Sequence, residues 1–176
     1  MDFTVKEYKK LLVALKAQDY AFQTFHEFIK SSNEKSIVLR HDVDLLPYNS
    51  LVFAKLQATE GIKGVYYFRA VPESWDEKVI KEIASLGHEI GYHYENLTTC
   101  NGNLEKGIQD FEKNLEALRK LAPVSTICMH GSPMSKYDSK DLWKKYNYQE
   151  YLLLISPYEY LVLAHLLKEN CHHLRI

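Results

Sequence analysis

Apolar and polar positions follow two rhythms along this chain, and the switches between them divide it into elements. Over residues 2–17, Val5, Tyr8, Leu11, Leu12 and Leu15 recur at helical spacing with charges between them, which predicts an amphipathic helix lying on the domain. Residues 20–25 suit a short strand or turn and residues 26–30 a further helical turn, before Ser31, Ser32 and Asn33 break the pattern. The rhythm then changes. Ile37, Val38 and Leu39 are consecutive β-formers with no alternation, as in a strand covered on both faces within a parallel sheet. After Pro47, residues 50–60 read as a helix stopped by Gly61, and residues 64–69 as a strand. A second cycle follows, with a helix over 73–86 that starts near Ser74 or Asp76 and is closed by Gly87, then a strand over 88–93. A long helix over 103–121, the breaker Pro123 and a strand over 125–129 make a third, and 139–146 reads as a helix capped near Asp138 or Ser139. Strands alternating with helices long enough to cross over predict an α/β fold built on parallel βα units.

In such folds ligands gather at the C-terminal ends of the strands. This chain places its unusual residues there: Asp42 and Asp44 after the first clear strand, His93 at the end of the third and His130 at the end of the fourth. Side chains at i and i+2 of an extended segment point the same way, so Asp42 and Asp44 converge while Val43 turns into packing. Two carboxylates that close repel unless a cation or proton lies between them. Asp at a strand end is also a common turn or cap residue, so the pair gains its meaning from His93 and His130. Two carboxylates and two imidazoles suit zinc, and also cobalt, nickel or iron, with three side chains as ligands and one as a general base for hydrolysis. His88, between Gly87 and Ile90, reads as a packed, hydrogen-bonded core residue, and His26 as a surface or packing residue.

Composition narrows the partners. The 176 residues are 46% hydrophobic and 26% charged with a formal net charge of -1, in the range of one globular domain spanning 1–176. Near-neutral charge without a basic run gives no case for nucleic acid or an anionic membrane surface. No secretory leader and no span of about 20 apolar residues is present, so a cytoplasmic location and no transmembrane segment are expected. Cys100, Cys128 and Cys171 have no paired spacing and read as reduced thiols. Thirteen tyrosines suit either half-buried packing or sugar contacts.

Arg40-His41-Asp42-Val43-Asp44 followed by Gly87-His88-Glu89-Ile90-Gly91-Tyr92-His93 resembles the NodB-homology polysaccharide deacetylases of carbohydrate esterase family 4, across about residues 36–145. The resemblance implies a distorted (β/α) barrel and metal-dependent removal of N- or O-acetyl groups from sugars. Carried over by position, it implies Asp42 as general base and Asp44 and His93 as metal ligands, with His88 in the motif but not a ligand. The family's second histidine falls on Leu97 here, so a third ligand has to come from elsewhere: His130 in Met129-His130-Gly131-Ser132-Pro133, with Glu95 as the alternative. Backbone amides near Gly131 and Ser132 are candidates for an oxyanion hole.

The chain also departs from the family in length. The apolar run 151–155, then Ser156, Pro157 and residues 160–167, do not resemble the family's continuation, and Cys171-His172-His173 reads as a tail rather than a ligand set. The expected barrel is therefore incomplete, with an open strand edge that a partner or second copy would cover. A non-catalytic domain binding sugar or metal without turnover is the competing expectation. A phosphoesterase on the same ligand types is a third, unsupported by any phosphate-cradling glycine loop or arginine cluster.

Overall fold

A parallel sheet carries the site, and its register explains which side chains meet. The structure, a computed structural model, describes residues 4–132 and 134–155. Helix α1 (Val5–Ala17) is capped by Thr4, whose hydroxyl accepts from the Glu7 amide. Strand β1 (Ala21–Phe22) leads to α2 (Phe25–Lys30), closed at its start by a reciprocal capping box between Thr24 and Glu27. The apolar run expected as one strand is two. β2 (Ser36–Ile37) pairs in parallel with β1, whereas β3 (Arg40–Val43) belongs to the main sheet. Val38 and Leu39 form the step between them, each packing into a different apolar cluster.

Helix α3 (Pro47–Thr59) begins with Pro47 in its first turn, three residues earlier than the spacing predicts, because proline is pre-set for that position. β4 (Val65–Phe68) follows. α4 (Glu77–Ser85) starts at the Asp76 cap, not at residue 73, since Ser74 turns inward to the Val43 carbonyl and the Arg69 amide. β5 (Glu89–Tyr94), the single turn α5 (Asn96–Thr99), α6 (Leu104–Arg119) and β6 (Val124–Met129) come next. The helix expected over 139–146 is a 3-10 turn (Ser139–Asp141) running into α7 (Leu142–Lys145). β7 (Leu154–Ile155), which the apolar run 151–155 did not announce as a strand, pairs in parallel with β6. The expected features at 160–167 and 171–173 lie outside the described residues.

The main sheet has the order β3-β4-β5-β6-β7, all parallel, and among the described residues it is not closed into a barrel. Its register sets two faces. Asp42 lies opposite Tyr67, Tyr67 opposite Gly91, and His93 opposite Cys128, so by the two-residue period these share a face with Arg40, and the line of His130 and Asp44 continues it. Gly91 is required on that face because the Tyr67 ring occupies the space a Cβ would take. The other face presents Val43, Tyr66, Phe68, Ile90, Tyr92 and Tyr94, buried with Ile80, Ile83, Phe111, Leu115 and Leu118 of α4 and α6 in the main core. A register shift in β6 between the Ile90 and Tyr92 pairings keeps both Val124 and Ile127 on this core face, although they are an odd number of residues apart. Among the described residues no helix is long and apolar enough to cross a membrane.

Candidate metal centre

Each side chain of the cluster is brought in by a strand end and held from behind. His93 is 2% exposed at the end of β5, and its Nδ1 lies 3.0 Å from the Cys128 carbonyl oxygen. A carbonyl only accepts, so Nδ1 carries the proton and Nε2 turns a lone pair toward the acids. Burial pushes the His93 pKa down despite Asp42 and Asp44 nearby, which keeps the ring neutral. Nε2 lies 3.5 Å from Asp44 Oδ1 and 3.8 Å from Asp42 Oδ2. Lone pairs and carboxylate oxygens at these distances repel one another unless a positive charge sits among them.

His130 completes the group. Its backbone N–H donates to the Tyr94 carbonyl at 2.9 Å, which extends the β5–β6 ladder by one residue and fixes its place. Its Nδ1 is 3.1 Å from Asp44 Oδ1 and 3.2 Å from His93 Nε2, so one proton there would have to serve two acceptors. Asp44 Oδ1 is buried and, among the described residues, makes no hydrogen bond of acceptable geometry, although the side chain as a whole is 46% exposed.

Asp44 Oδ1, His93 Nε2 and His130 Nδ1 are thus separated from one another by 3.5, 3.1 and 3.2 Å, a set of donor atoms that could hold a metal ion. Zinc bonds of about 2.0–2.1 Å at tetrahedral angles place neighbouring donors about 3.3 Å apart. The three edges match that figure, so the residues present fit an ion of this size, and the mixed oxygen and nitrogen set suits zinc, cobalt, nickel or iron alike.

Asp42 stands beside this triangle. Arg40 grips it with two parallel bonds, Nε to Oδ1 and Nη2 to Oδ2, each 2.7 Å. The same guanidinium reaches Cys128 Sγ and lies 5.2 Å over the Tyr67 ring. Burial works most strongly against its charge, yet Asp42, Cys128 and Tyr67 together offset it and hold the Arg40 pKa above its ordinary value. Arg69 supports the acidic loop from the other side: Nη1 donates to the Asp44 carbonyl at 3.1 Å, and Nε to Glu95 Oε1 at 2.7 Å.

The structure therefore brings Asp42, Asp44, His93 and His130 together and takes Glu95 away from ligation, since its carboxylate is paired with Arg69. Leu97, at the position of the family's second histidine, is 3% exposed and packs into the core against Gly107 of α6. His88 is a core residue, as its place between Gly87 and Ile90 predicts: the Gly64 amide donates to Nδ1 at 3.0 Å, and Nε2–H donates to the Ala54 carbonyl at 2.9 Å. Arg40 and Arg69 escaped the reading of the sequence. Arg40 was signalled by parity, two residues before Asp42 in a strand, whereas Arg69 pairs with a residue 26 positions away and left no local mark. Cys100 and Cys128 are in no disulfide, and Cys171 lies outside the described residues.

No protein-family model and no curated protein matches this sequence.

Proposed function

We propose that this chain is a metal-dependent hydrolase that removes acetyl groups from an N- or O-acetylated sugar, on the frame of a deacetylase-type (β/α) barrel. Asp44, His93 and His130 would hold a divalent cation such as zinc, and Asp42 is the general base. The observation that carries this reading is the triangle of donor atoms with tetrahedral edge lengths, whose Asp44 Oδ1 corner is buried and, among the described residues, makes no hydrogen bond. The reaction class and substrate come from the resemblance of the two motifs, and the geometry is compatible with both.

When bound, such a cation polarises an acyl carbonyl and lowers the pKa of water. The chain's own groups supply the rest. Asp42 accepts a proton from the attacking water, and Arg40 fixes the direction of its oxygens through two bonds. The Cys128 carbonyl selects the His93 tautomer that leaves Nε2 free to ligate. Arg69 holds the backbone at Asp44. Backbone amides at Gly131 and Ser132 are the oxyanion donors in this scheme.

Elemental analysis of the purified chain beside the Asp44→Ala, His93→Ala double variant tests the site: about one ion per chain, lost in the variant, is expected. Acetate release from acetylated sugars then tests the chemistry, with Asp42→Asn keeping the metal and losing hydrolysis. An Asp42→Asn protein that hydrolyses at the normal rate would end the base assignment. A second reading, a domain that binds sugar or metal without turnover, is favoured by the apolar Leu97 buried where the family's second histidine falls. A chain that takes up no ion after reconstitution with several divalent metals would make it the better one.

A further inference from the structure

The loops that follow His93 and His130 enclose a groove of about 450 Å³ outside the metal triangle, lined by Thr98, Asn101, Ser132, Met134, Ser135, Lys136 and Tyr137. Both walls grow from strand ends that carry a candidate ligand. α5 and the turn after it follow β5, and Ser132 stands two residues beyond His130, so at most about 7.6 Å separates their Cα atoms. Ser132 thus ties one wall of the groove to the strand end that carries His130.

Its walls are tied together. Thr98 Oγ1 donates to Ser135 Oγ at 2.9 Å, Ser135 Oγ donates to the Tyr137 carbonyl at 3.2 Å, and the Leu97 amide donates to the buried Ser139 hydroxyl at 3.1 Å. The Tyr137 ring lies against Gly102, which has φ +79° and no Cβ to hold it off. The lining is rich in donors: the hydroxyls of Ser132 and Tyr137, the Asn101 amide and the Lys136 ammonium. Among the described residues no carboxylate lines it. Lys136 Nζ sits 5.2 Å from the Tyr137 ring centroid, and among the described residues it makes no ion pair. A cation and several neutral donors without an acid favour a ligand that brings negative charge, and a half-buried tyrosine ring favours one that also brings a sugar face.

We infer that this groove binds an acidic group, a phosphate or a carboxylate, carried by the sugar substrate next to its acetylated centre, with Lys136 as the principal contact. The inference rests on the sugar substrate proposed above and narrows it to acidic, acetylated saccharides. Neutral acetylated sugars then lack the contact that seats them.

Calorimetric titration of the full chain with N-acetylglucosamine, N-acetylglucosamine 1-phosphate and N-acetylmuramic acid tests it, in the wild type and in Lys136→Ala. Any capture of the acid by a bound ion is common to both proteins, so the difference between them reports the groove. At least one of the two acidic sugars is expected to bind about tenfold more tightly than the neutral one, and Lys136→Ala to remove that advantage while metal content stays the same. Which of the two shows the advantage separates phosphate from carboxylate. Equal affinities for all three sugars, or an advantage that survives Lys136→Ala, would overturn the inference. Failure of the hydrolase reading appears separately, as absent metal or absent acetate release with the acidic preference intact.

Discussion

His88 and His93 stand on the same stretch of chain, five residues apart, both buried and both kept neutral by burial, and they are bound in opposite ways. Both ring nitrogens of His88 are used by backbone, one by the Gly64 amide and one by the Ala54 carbonyl, so the ring joins the start of β4 to α3. Only one nitrogen of His93 is used by backbone, and the other faces two carboxylates and a second imidazole. The difference lies in what surrounds each ring. The parity of β5 sends His93 to the face of Asp42 and Cys128, whereas His88, just before the strand, meets helix α3. A buried histidine with both nitrogens taken by backbone is a rivet, and one whose second nitrogen faces acids and another imidazole is placed where it could ligate a cation.

The sharpest way to break this contrast is to remove each ring in turn. His93→Ala should lower metal affinity by more than about 100-fold, as loss of one of three ligands, with the fold retained by circular dichroism. His88→Ala should do the reverse. It leaves a buried amide and a buried carbonyl without partners, so chemical denaturation should show a loss of about 2–4 kcal/mol while metal stoichiometry is unchanged. A His88→Ala protein that loses metal but not stability would overturn the division of roles.

A smaller effect is expected at Gly91, between the two rings. Gly91→Ala forces the Tyr67 ring aside, a cost of about 1–3 kcal/mol in denaturation experiments, and displaces the face on which His93 stands. Pairing it with Tyr67→Leu should recover part of that loss. The smallest effect is in pH. Burial lowers the pKa of His41 to about 4 and those of His88 and His93 below their ordinary value, whereas the unfolded chain titrates near 6.5. Below about 6.5 the unfolded state binds protons that the folded state refuses, so stability should be full above that pH. It should then decline as the pH falls from about 6.5 toward 4, and a metal-free sample followed by thermal melts at successive pH values would show the slope.

The sequence made some of this visible for physical reasons. Strand and helix existence followed from unbroken apolar runs against helical spacing, and Gly61 and Gly87, both at positive φ, marked helix ends where only glycine is unstrained. The candidate ligands were legible because each is a metal-binding type at an equivalent strand end. The split between β2 and β3 was not legible, since Ile37, Val38 and Leu39 look alike to any local rule, and only tertiary packing sends Val38 to a different cluster from Ile37 and Leu39. Nor was the removal of Glu95 from the ligand list, which depends on Arg69 arriving from the neighbouring strand. β7 was hidden for a further reason: a two-residue strand is too short to show any period.

The alternation of β3 has a consequence for how this region tolerates genetic change. Arg40, Asp42 and, past the strand end, Asp44 belong to one parity, while His41 and Val43 belong to the other and enter the stacking with Tyr66 and the core. A single codon gained or lost between Leu39 and Asp42 would turn the acids into the helix layer and bring an apolar side chain to the site, even though both carboxylates survived. Gain of two codons would restore the facing and displace only the reach. Length variants here should therefore divide by odd and even, a signature that substitutions of single side chains cannot produce.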